Sequence, residues 1–427
     1  MTKKILPAFL AALMLFTSLG LSSEAQEVRA ETETVGATKT EEEYKVDIAN
    51  IKSEFNGAFS GTSGDWTGNS NYDTSWYTSE NTYTLTTAAE VAGMAYLITN
   101  GTNFSGKTIK LGADIDLGAH YWIPAGGIEN SDNVTSFSNV FSGTFDGSGF
   151  SIRNMKINQP NLTYTSGKDN YLGFFSLNNG AIKNVTFEKP VILAVSTQNT
   201  TSQLREGTVV AANMGTVDNC HVVGGKLYGE VNRILRLGGV VGYQSYAANR
   251  ITQNCTTSAD TNVYAVNWSK YDNCYANVSG IVADNASSID NSINNANITA
   301  YVNGGSVGQY RHFIGGIVGH NFNEYYGFLQ NSVNTGDVKA YIMNGQNASN
   351  DTQGFGVGGV AGASYLNTTG CYNTGDITLT GGAGTTMGGA GGVMGIIRGG
   401  NIQNCYNTGK ITSDGKQTGG LTGQTTA

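Results

Sequence analysis

The sequence predicts an all-β protein, a right-handed parallel β-helix (β-solenoid) with a short N-terminal capping helix. Two observations carry this prediction, an internal repeat and a composition suited to many tight turns. The chain of 427 residues contains 59 Gly and only 4 Pro, and 13% of its residues are charged, whereas about 25% is usual for soluble proteins. Gly and Asn both tolerate positive φ and therefore supply the turns between short strands.

The repeat consists of two short blocks. The first reads G-G-[hydrophobic]-x-G or a close variant, and it occurs eight times at intervals of 28 to 43 residues, near Gly173, Thr208, Gly239, Gly280, Gly316, Gly359, Gly392 and Gly420. The second, of the type I-x-N-C, follows the first seven of these after 12 to 16 residues. A nearly constant inner spacing with a variable outer spacing is typical of stacked coils. We expect roughly nine or ten coils, each paired with its neighbour at about 4.8 Å.

The chain begins with the pattern of a secretory signal peptide over residues 1–30. Two lysines precede an apolar run, and small residues then stand in front of Ala25 and Ala30, the two candidate cleavage positions. A retained membrane anchor is the alternative, because the run is of marginal length for a span. The acidic stretch that follows shows no core pattern and predicts a disordered linker over residues 31–60.

Residues 61–160 are predicted to form an N-terminal cap and the first coils. The segment 87–100 predicts a helix, because Thr87 and Glu90 have the spacing of a capping box and Asn-Gly stands at its end. Short strands are expected at 107–111, 115–117, 141–145 and 151–157. Residues 161–427 are predicted to form the repeat solenoid, with an uncapped C-terminal end because only four residues follow the last block.

The chain resembles the bacterial GLUG-repeat proteins over roughly residues 76–427. The resemblance rests on the run Y-T-L-T-T-A-A-E-V-A-G-M-A-Y-L-I-T-N-G-T-N-F-S-G-K, the run F-S-G-T-F-D-G-S-G-F-S-I-R-N-M-K-I, and the G-G-[IV]-[VMA]-G repeats after them. It implies a right-handed parallel β-helix on secreted or surface-attached proteins. Such repeats also occur beside the catalytic domain of immunoglobulin-A-cleaving metalloproteases. The resemblance implies a scaffold and no particular activity.

One column of the repeat carries small residues. Its members are Cys220, Cys255, Ser292, Ser332, Cys371 and Cys405, in line with Val185. Alternation among Cys, Ser and Val predicts an inward-facing structural ladder with buried free thiols. Disulfides between stacked neighbours are the alternative, because Cα atoms in adjacent coils lie within bridging distance. No C-x-x-C spacing suggests a zinc site.

Asparagines form two further columns. Those just before the cysteine column predict a ladder of side-chain amides bonded from coil to coil; they are Asn184, Asn219, Asn254, Asn291, Asn331 and Asn404. The runs N-T-G at Asn334, Asn373 and Asn407 predict a corner, since Asn followed by Gly is turn chemistry.

No set of catalytic residues stands out. Glycoside hydrolysis needs two carboxylates across a cleft, and no group of Asp residues lies beside an Arg in the sequence. The four histidines form no H-E-x-x-H motif, and two of them, His312 and His320, are predicted to lie in loops. We expect no metal and no other cofactor.

Aromatic side chains in predicted loops are the candidate ligand-binding residues, because aromatic faces on a polar solenoid are a usual means of holding sugars. They are Trp268, Tyr325 and Tyr326. The net charge of −8 argues against nucleic acid and anionic membranes as partners, so we expect no membrane contact apart from the signal peptide.

These features favour a non-catalytic protein that is secreted or attached to the cell surface. We expect it to bind glycans, or host or cell-surface proteins, through loops between coils such as 189–206 and 339–356. Two alternatives stay open. A polysaccharide-active lyase or hydrolase would need carboxylates that converge on one face, and a passive stalk would carry a missing C-terminal domain.

Overall fold

Four β-sheets, each made of strands stacked from coil to coil, form the body of the protein. The computed structural model describes residues 39–425 apart from 69, 134–135, 247–249, 270–273, 305–309, 323–326, 344–353 and 382–387. The predicted signal peptide, with Ala25 and Ala30, lies outside the described residues. Apart from one antiparallel pair at the N-terminal end, strands of consecutive coils pair in parallel, which confirms the predicted all-β fold of stacked coils.

Each coil contributes a strand to sheet 1, then to sheet 2, sheet 3 and sheet 4. The strands of sheet 3 are β1 (Thr82–Leu85), β2 (Thr108–Leu111), β3 (Ile115–Asp116), β5 (Thr144–Asp146), β6 (Ser151–Arg153), β10 (Ala181–Glu188), β14 (Thr216–Val223), β18 (Ile251–Gln253), β19 (Thr256–Thr257), β23 (Ser288–Asp290), β24 (Ile293–Asn294), β28 (Leu329–Gln330), β29 (Val333–Asn334), β33 (Thr368–Thr369), β34 (Tyr372–Asn373), β38 (Ile402–Gln403) and β39 (Tyr406–Asn407). The strands of sheet 4 are β7 (Lys156–Gln159), β11 (Val191–Val195), β15 (Lys226–Val231), β20 (Asn262–Asn267), β25 (Asn297–Val302), β30 (Val338–Ile342), β35 (Ile377–Thr380) and β40 (Ile411–Ser413).

Sheets 1 and 2 carry the remaining strands. Those of sheet 1 are β4 (Glu129–Ser131), β8 (Lys168–Leu172), β12 (Gln203–Gly207), β16 (Ile234–Gly238), β21 (Cys274–Ser279), β26 (Tyr310–Gly315), β31 (Phe355–Gly358), β36 (Gly388–Gly391) and β41 (Gln417–Gly419). Those of sheet 2 are β9 (Phe175–Asn178), β13 (Val210–Asn213), β17 (Val241–Gln244), β22 (Val282–Asn285), β27 (Val318–Asn321), β32 (Ala361–Ser364), β37 (Met394–Ile397) and β42 (Thr422–Thr425).

The solenoid has about eight coils, because sheets 2 and 4 each contain eight strands. This corrects the predicted nine or ten. The first three strands, β1, β2 and β3, join only sheet 3, so the N-terminal segment adds to one side of the solenoid without completing further coils.

Sheets 1 and 2 meet at the G-G-[hydrophobic]-x-G blocks. In one coil Gly238 ends β16, and Gly239 and one further residue lead into β17. A Cβ on Gly238 would lie 2.0 Å from the carbonyl oxygen of Val241, and one on Gly239 would lie 2.1 Å from that of Gly280. Since no side chain tolerates such contacts, glycine is what allows the backbone to turn between the two sheets here.

The interior is filled by the inward-facing side chains of the four sheets. In sheet 4, for example, buried aliphatic side chains stack in register from coil to coil; they are Ile192, Leu227, Val263, Ile298, Val338 and Ile377. A single coil could not bury its apolar face, so the stacked columns provide the continuous hydrophobic core.

Two ladders of amide side chains link the coils at corners. Between sheets 3 and 4, amides bond from coil to coil at 2.6–2.7 Å along Asn294, Asn334, Asn373 and Asn407. Between sheets 2 and 3, similar bonds of 2.7–3.1 Å run along Asn178, Asn213, Gln244, Asn285 and Asn321. The sequence predicted a corner at the first position and gave no sign of the second ladder.

The predicted amide ladder before the cysteine column lies at a bend within sheet 3 and forms only in part. Its six asparagines all have positive φ, between +44° and +56°, and Gly370 has the same conformation at +65°. Two coil-to-coil amide bonds form, from Asn219 to Asn184 at 3.0 Å and from Asn291 to Asn254 at 2.7 Å. The left-handed backbone, which Asn and Gly tolerate best, explains this column better than the ladder does.

Helix α1 (Glu41–Ala58) lies where the sequence predicted a disordered linker over 31–60, so that prediction is wrong from Glu41 onward. Thr40 and Glu43 form a capping box, and three Glu occupy the first turn, where they stabilise a helix. Tyr44, Ile48 and Phe55 are buried against the outer face of sheet 4. The acidic residues that suggested disorder lie mainly in the first turn, and the apolar residues are too widely spaced to give an obvious pattern.

Helix α2 (Ala88–Thr99) confirms the predicted capping helix. Thr87 and Glu90 form the expected capping box, and Met94 and Ile98 pack into the hydrophobic core at the N-terminal end of the solenoid. Neither α1 nor α2, the helices of the described residues, is long and apolar enough to cross a membrane.

The segments 189–206 and 339–356, which were predicted to be binding loops, contain strands of the solenoid. The first includes β11 and most of β12, and the second includes most of β30 and the start of β31. The connection from sheet 4 to sheet 1 varies most in length, being shortest at 232–233 and longest at 343–354. Residues 344–353 of the longest connection lie outside the described residues.

Candidate functional site

The outer faces of sheets 1 and 2 face each other across the glycine turn and form a groove, here called the inter-sheet groove. On sheet 1 its residues stack in the order Tyr171, Arg205, Arg236, Asn277 and Phe313. On sheet 2 they stack in the order Ala212, Tyr243, Asp284, His320 and Ala363. Although these side chains point away from the core, most are buried, because the two faces cover each other.

Arginine and tyrosine side chains alternate at one end of the groove. The guanidinium of Arg205 lies 4.9 Å from the ring centre of Tyr171 and 5.2 Å from that of Tyr243. Arg205 also forms a buried ion pair of 2.9 Å with Asp169. The positive charge of Arg205 is already balanced by this carboxylate and by the faces of two tyrosine rings, so this end of the groove is structural.

The centre of the groove holds a connected set of polar side chains. Arg236 donates through Nε to Asp284 and through Nη2 to the hydroxyl of Tyr275, the latter at 2.7 Å. The Nδ1 atom of His320 lies 3.4 Å from Oδ1 of Asp284. Arg236 and Asp284 are 48 residues apart in the sequence, and the stacking of coils brings them together.

Charges at this centre are set by burial and by the neighbouring groups. Burial alone would raise the pKa of Asp284, but Arg236 and His320 outweigh it and hold the pKa of that carboxyl below its ordinary value. Burial lowers the pKa of His320 more than Asp284 raises it. The carboxylate is therefore ionised and the imidazole neutral at neutral pH.

Besides Oδ1 of Asp284, which faces Nδ1 of His320 at 3.4 Å, three buried polar atoms at the centre have no hydrogen-bond partner among the described residues. They are Nη1 of Arg236, Oδ1 of Asn277 and Nε2 of His320. Their residues line a cavity of about 140 Å³, together with Tyr275, Asp284, Arg311, Phe313 and Phe322. The cavity thus offers a donor, two atoms able to accept, and aromatic walls, which is the chemistry needed to bind a polar ligand.

The predicted ligand-binding residues do not form this site. Trp268 is half-buried beside α1 on the sheet 4 side, and its Nε1 donates to Glu230 at 2.9 Å. Tyr325 and Tyr326 lie outside the described residues. Trp268 is thus engaged in packing and in a hydrogen bond on the sheet 4 side, away from the cavity.

Both histidines that were predicted in loops lie on strands, so that prediction is wrong. His320 belongs to β27 and faces the groove. His312 belongs to β26 and is buried, and its Nδ1 accepts a hydrogen bond from the backbone of Ala276 at 3.0 Å. Aligning the glycine blocks could have indicated the groove, because that alignment places Tyr243, Asp284 and His320 at one repeat position.

The cysteine column lies inside the solenoid, on sheet 3. Cys220, Cys255, Ser292, Ser332 and Cys371 are buried, and Cys405 is half-buried. Oγ of Ser292 accepts from the backbone N–H of Cys255, and Oγ of Ser332 accepts from that of Ser292. The five cysteines of the chain have free thiols in the structure. Among the described residues, no three His, Cys, Asp or Glu side chains are grouped so that they could hold a metal ion.

Comparisons with known proteins leave the family open. No protein-family model matches the chain. Over 158 residues, 36% of its length, the chain is 32% identical to Halomucin from Haloquadratum walsbyi, but it spans only 2% of that protein. The crystal structure of a putative immunoglobulin A1 protease from Bacteroides ovatus is 18% identical, with a TM-score of 0.46 over 86% of this chain and 90% of that one. The resemblance to GLUG-repeat proteins stays a prediction.

Proposed function

We propose that this protein is a non-catalytic, secreted or cell-surface scaffold that binds a glycan in the inter-sheet groove. The observation that carries the proposal is the set of three unpartnered polar atoms, on Arg236, Asn277 and His320, around one cavity. A buried polar group without a partner costs about 1–3 kcal/mol. Three such groups beside one cavity favour a ligand that supplies their partners.

Sugars fit this combination of groups. A sugar hydroxyl both donates and accepts hydrogen bonds, and the C–H face of a sugar ring packs on aromatic side chains. The cavity presents both features, since Phe313 and Phe322 lie beside the polar atoms. Its volume of about 140 Å³ suits one sugar residue, whereas a stable protein–protein interface needs a much larger contact surface. We therefore favour a glycan over a host protein as the partner.

The proposed location rests on the sequence. The basic start, the apolar run and the small residues before Ala25 and Ala30 are the pattern of an exported chain. Attachment to the cell surface belongs to the same proposal and is supported by the resemblance to GLUG-repeat proteins.

One observation favours a second candidate, a polysaccharide-active enzyme. His320 is neutral, its Nδ1 faces the Asp284 carboxylate at 3.4 Å, and its Nε2 has no hydrogen-bond partner in the described part of the chain. A histidine oriented in this way is able to act as a general base, and the hydroxyl of Tyr275 stands at the same cavity. The two candidates differ in whether the bound polymer is cut.

The test is to incubate the purified secreted chain with a panel of neutral and acidic polysaccharides and to measure both retention on each polymer and the release of new chain ends. Retention without new ends is the expected result. Asn277→Ala should abolish retention, whereas Tyr372→Ala, which removes an aromatic ring stacked on Tyr406 on sheet 3, should not. New chain ends would establish the enzyme instead, and retention that survives Asn277→Ala would show that the groove is not the binding site.

A further inference from the structure

We infer that the central cavity of the inter-sheet groove binds a carboxylated sugar, such as a uronic acid residue of an acidic polysaccharide. This inference rests on the proposed function and names the class of sugar. It follows from the charges at the cavity, from the donors and acceptors left unpartnered there, and from the position of the aromatic rings.

The cavity has an excess of positive charge. Two guanidinium groups, those of Arg236 and Arg311, and a single carboxylate, that of Asp284, line it. Asp284 already accepts from Nε of Arg236 and lies beside Nδ1 of His320. No carboxylate among the described residues forms an ion pair with Arg311, so within that part of the chain one positive charge at the cavity has no counter-charge. A carboxylate matches the planar, bidentate geometry of the arginine guanidinium.

The unpartnered atoms require more than an anion. Because the Asp284 carboxylate faces Nδ1 of His320, the proton of the neutral imidazole is favoured on Nδ1, and Nε2 is left as an acceptor. Oδ1 of Asn277 is a second acceptor that has no partner among the residues the structure describes. A simple anion would accept a hydrogen bond from Nη1 of Arg236 but could not donate one to these two acceptors. Sugar hydroxyls could donate to both.

The aromatic rings complete the match. Phe322 stacks nearly parallel to Tyr243, with ring centres 6.2 Å apart and planes inclined by 14°, and its ring centre lies 5.8 Å from that of His320. It is half-buried at the cavity, so part of its face is open to a ligand. A neutral sugar would pack on this face and donate to the two acceptors, but it would bring no negative charge to the guanidinium groups. A sugar that carries a carboxylate uses all of them.

The test is to titrate the purified full chain with glucuronate, glucose and acetate and to follow binding by ligand-observed NMR and calorimetry. We expect glucuronate to bind about tenfold more tightly than glucose, because one charge-assisted pair contributes at that level, and acetate to bind more weakly than either. Arg311→Gln should weaken glucuronate binding by about tenfold and change glucose binding less than twofold. The matched control is Arg153→Gln, whose arginine pairs with Asp114 and Glu188 on sheet 3.

A measurement on the unaltered protein covers the case in which Arg311→Gln does not fold. Added salt should weaken the binding of glucuronate and leave that of glucose unchanged, because screening acts on the charged ligand. Equal binding of glucose and glucuronate, insensitive to salt, would overturn the carboxylate site while the glycan groove stands. Binding of acetate as tight as that of glucuronate would show an anion site and overturn the sugar. If no sugar binds, the proposed function itself fails.

Discussion

Replacing Phe55 by alanine should release helix α1 from the solenoid without unfolding the coils. The helix has 18 residues and is therefore about 27 Å long, enough to cross five or six coils spaced at about 4.8 Å. Its contacts agree with this length, because Tyr44 packs on Tyr341 near one end and Phe59 packs on Tyr121 at the other. Phe55 lies between them, fully buried, with its ring centre 5.6 Å from that of Tyr228.

Loss of a fully buried Phe side chain costs about 3–5 kcal/mol. The solenoid core does not include Phe55, so the cost should fall on the docking of α1 and appear as local opening. Two ion pairs also join α1 to sheet 4: Lys226 with Glu54 at 3.3 Å is exposed and adds only about 0–1 kcal/mol, and Lys52 pairs with the buried Glu230 at 2.9 Å. They cannot replace the packing energy lost with Phe55, so the remaining contacts of Tyr44 and Ile48 should leave α1 docked only weakly.

The assay is hydrogen exchange followed by mass spectrometry. In Phe55→Ala, a loss of about 3 kcal/mol should speed amide exchange in peptides from residues 41–58 by more than about 100-fold, while peptides from sheets 1 to 4 keep their rates. Val46→Ala is the control, because Val46 is 60% exposed on the same helix. If the two variants exchanged alike over 41–58, the packing of Phe55 on sheet 4 would not be what holds α1 in place.

Three further predictions concern buried ionisable groups, all measured by urea unfolding. Asp284→Asn leaves the buried Arg236 without its counter-charge and should lower the free energy of unfolding by about 3–5 kcal/mol, whereas the exposed Asp132→Asn should change it by less than about 0.5 kcal/mol; equal effects would contradict the buried pair. Glu206 is fully buried without a partner among the described residues, and burial raises its pKa well above the ordinary value. In the unfolded chain this glutamate ionises near pH 4.3, so the free energy of unfolding of the wild type should decrease as pH rises above that value. The Glu206→Gln variant has no such ionisation, so its stability relative to the wild type should increase from pH 4 to pH 8. A difference in stability that did not change with pH would refute this prediction. Burial lowers the pKa of His312 to about 3, so this histidine stays neutral in the folded protein while the unfolded chain takes up a proton below pH 6.5. The free energy of unfolding should therefore fall by about 2 kcal/mol between pH 6.5 and pH 5. The His312→Gln variant should lack this decrease.

The fold could be predicted because it depends on periodicity. The glycine blocks recur where the backbone of one coil lies against that of the next, since a Cβ added to Gly239 would lie only 2.1 Å from the carbonyl oxygen of Gly280. Such contacts leave a clear pattern in the sequence. The capping helix was equally visible, since Thr87 and Glu90 act within one turn. Local chemistry and repeated chemistry can both be seen in a single sequence.

Helix α1 was missed for a related reason. Its stability comes from tyrosines on sheet 4, such as Tyr228 and Tyr301, which lie more than 150 residues later in the chain. The segment alone shows a dense acidic start and few apolar residues, which is the composition of a disordered linker. A helix that is stabilised by tertiary packing cannot be distinguished from such a linker until the surface that receives it is known.

The groove was missed because a functional site on a solenoid is a departure from the repeat, and the search for a fold averages such departures away. On the inward face of sheet 2, Val241, Val282 and Val318 stack in register. The residue type is the same in each coil because these side chains only pack in the core. Two residues further on, the outward column changes from Tyr243 to Asp284 to His320. Core packing does not require those changes, and a buried charge among them costs stability unless it is paired. Binding residues are therefore to be sought at repeat positions where the coils stay in register but the type of side chain changes. In this chain those positions converge on the cavity beside Arg236.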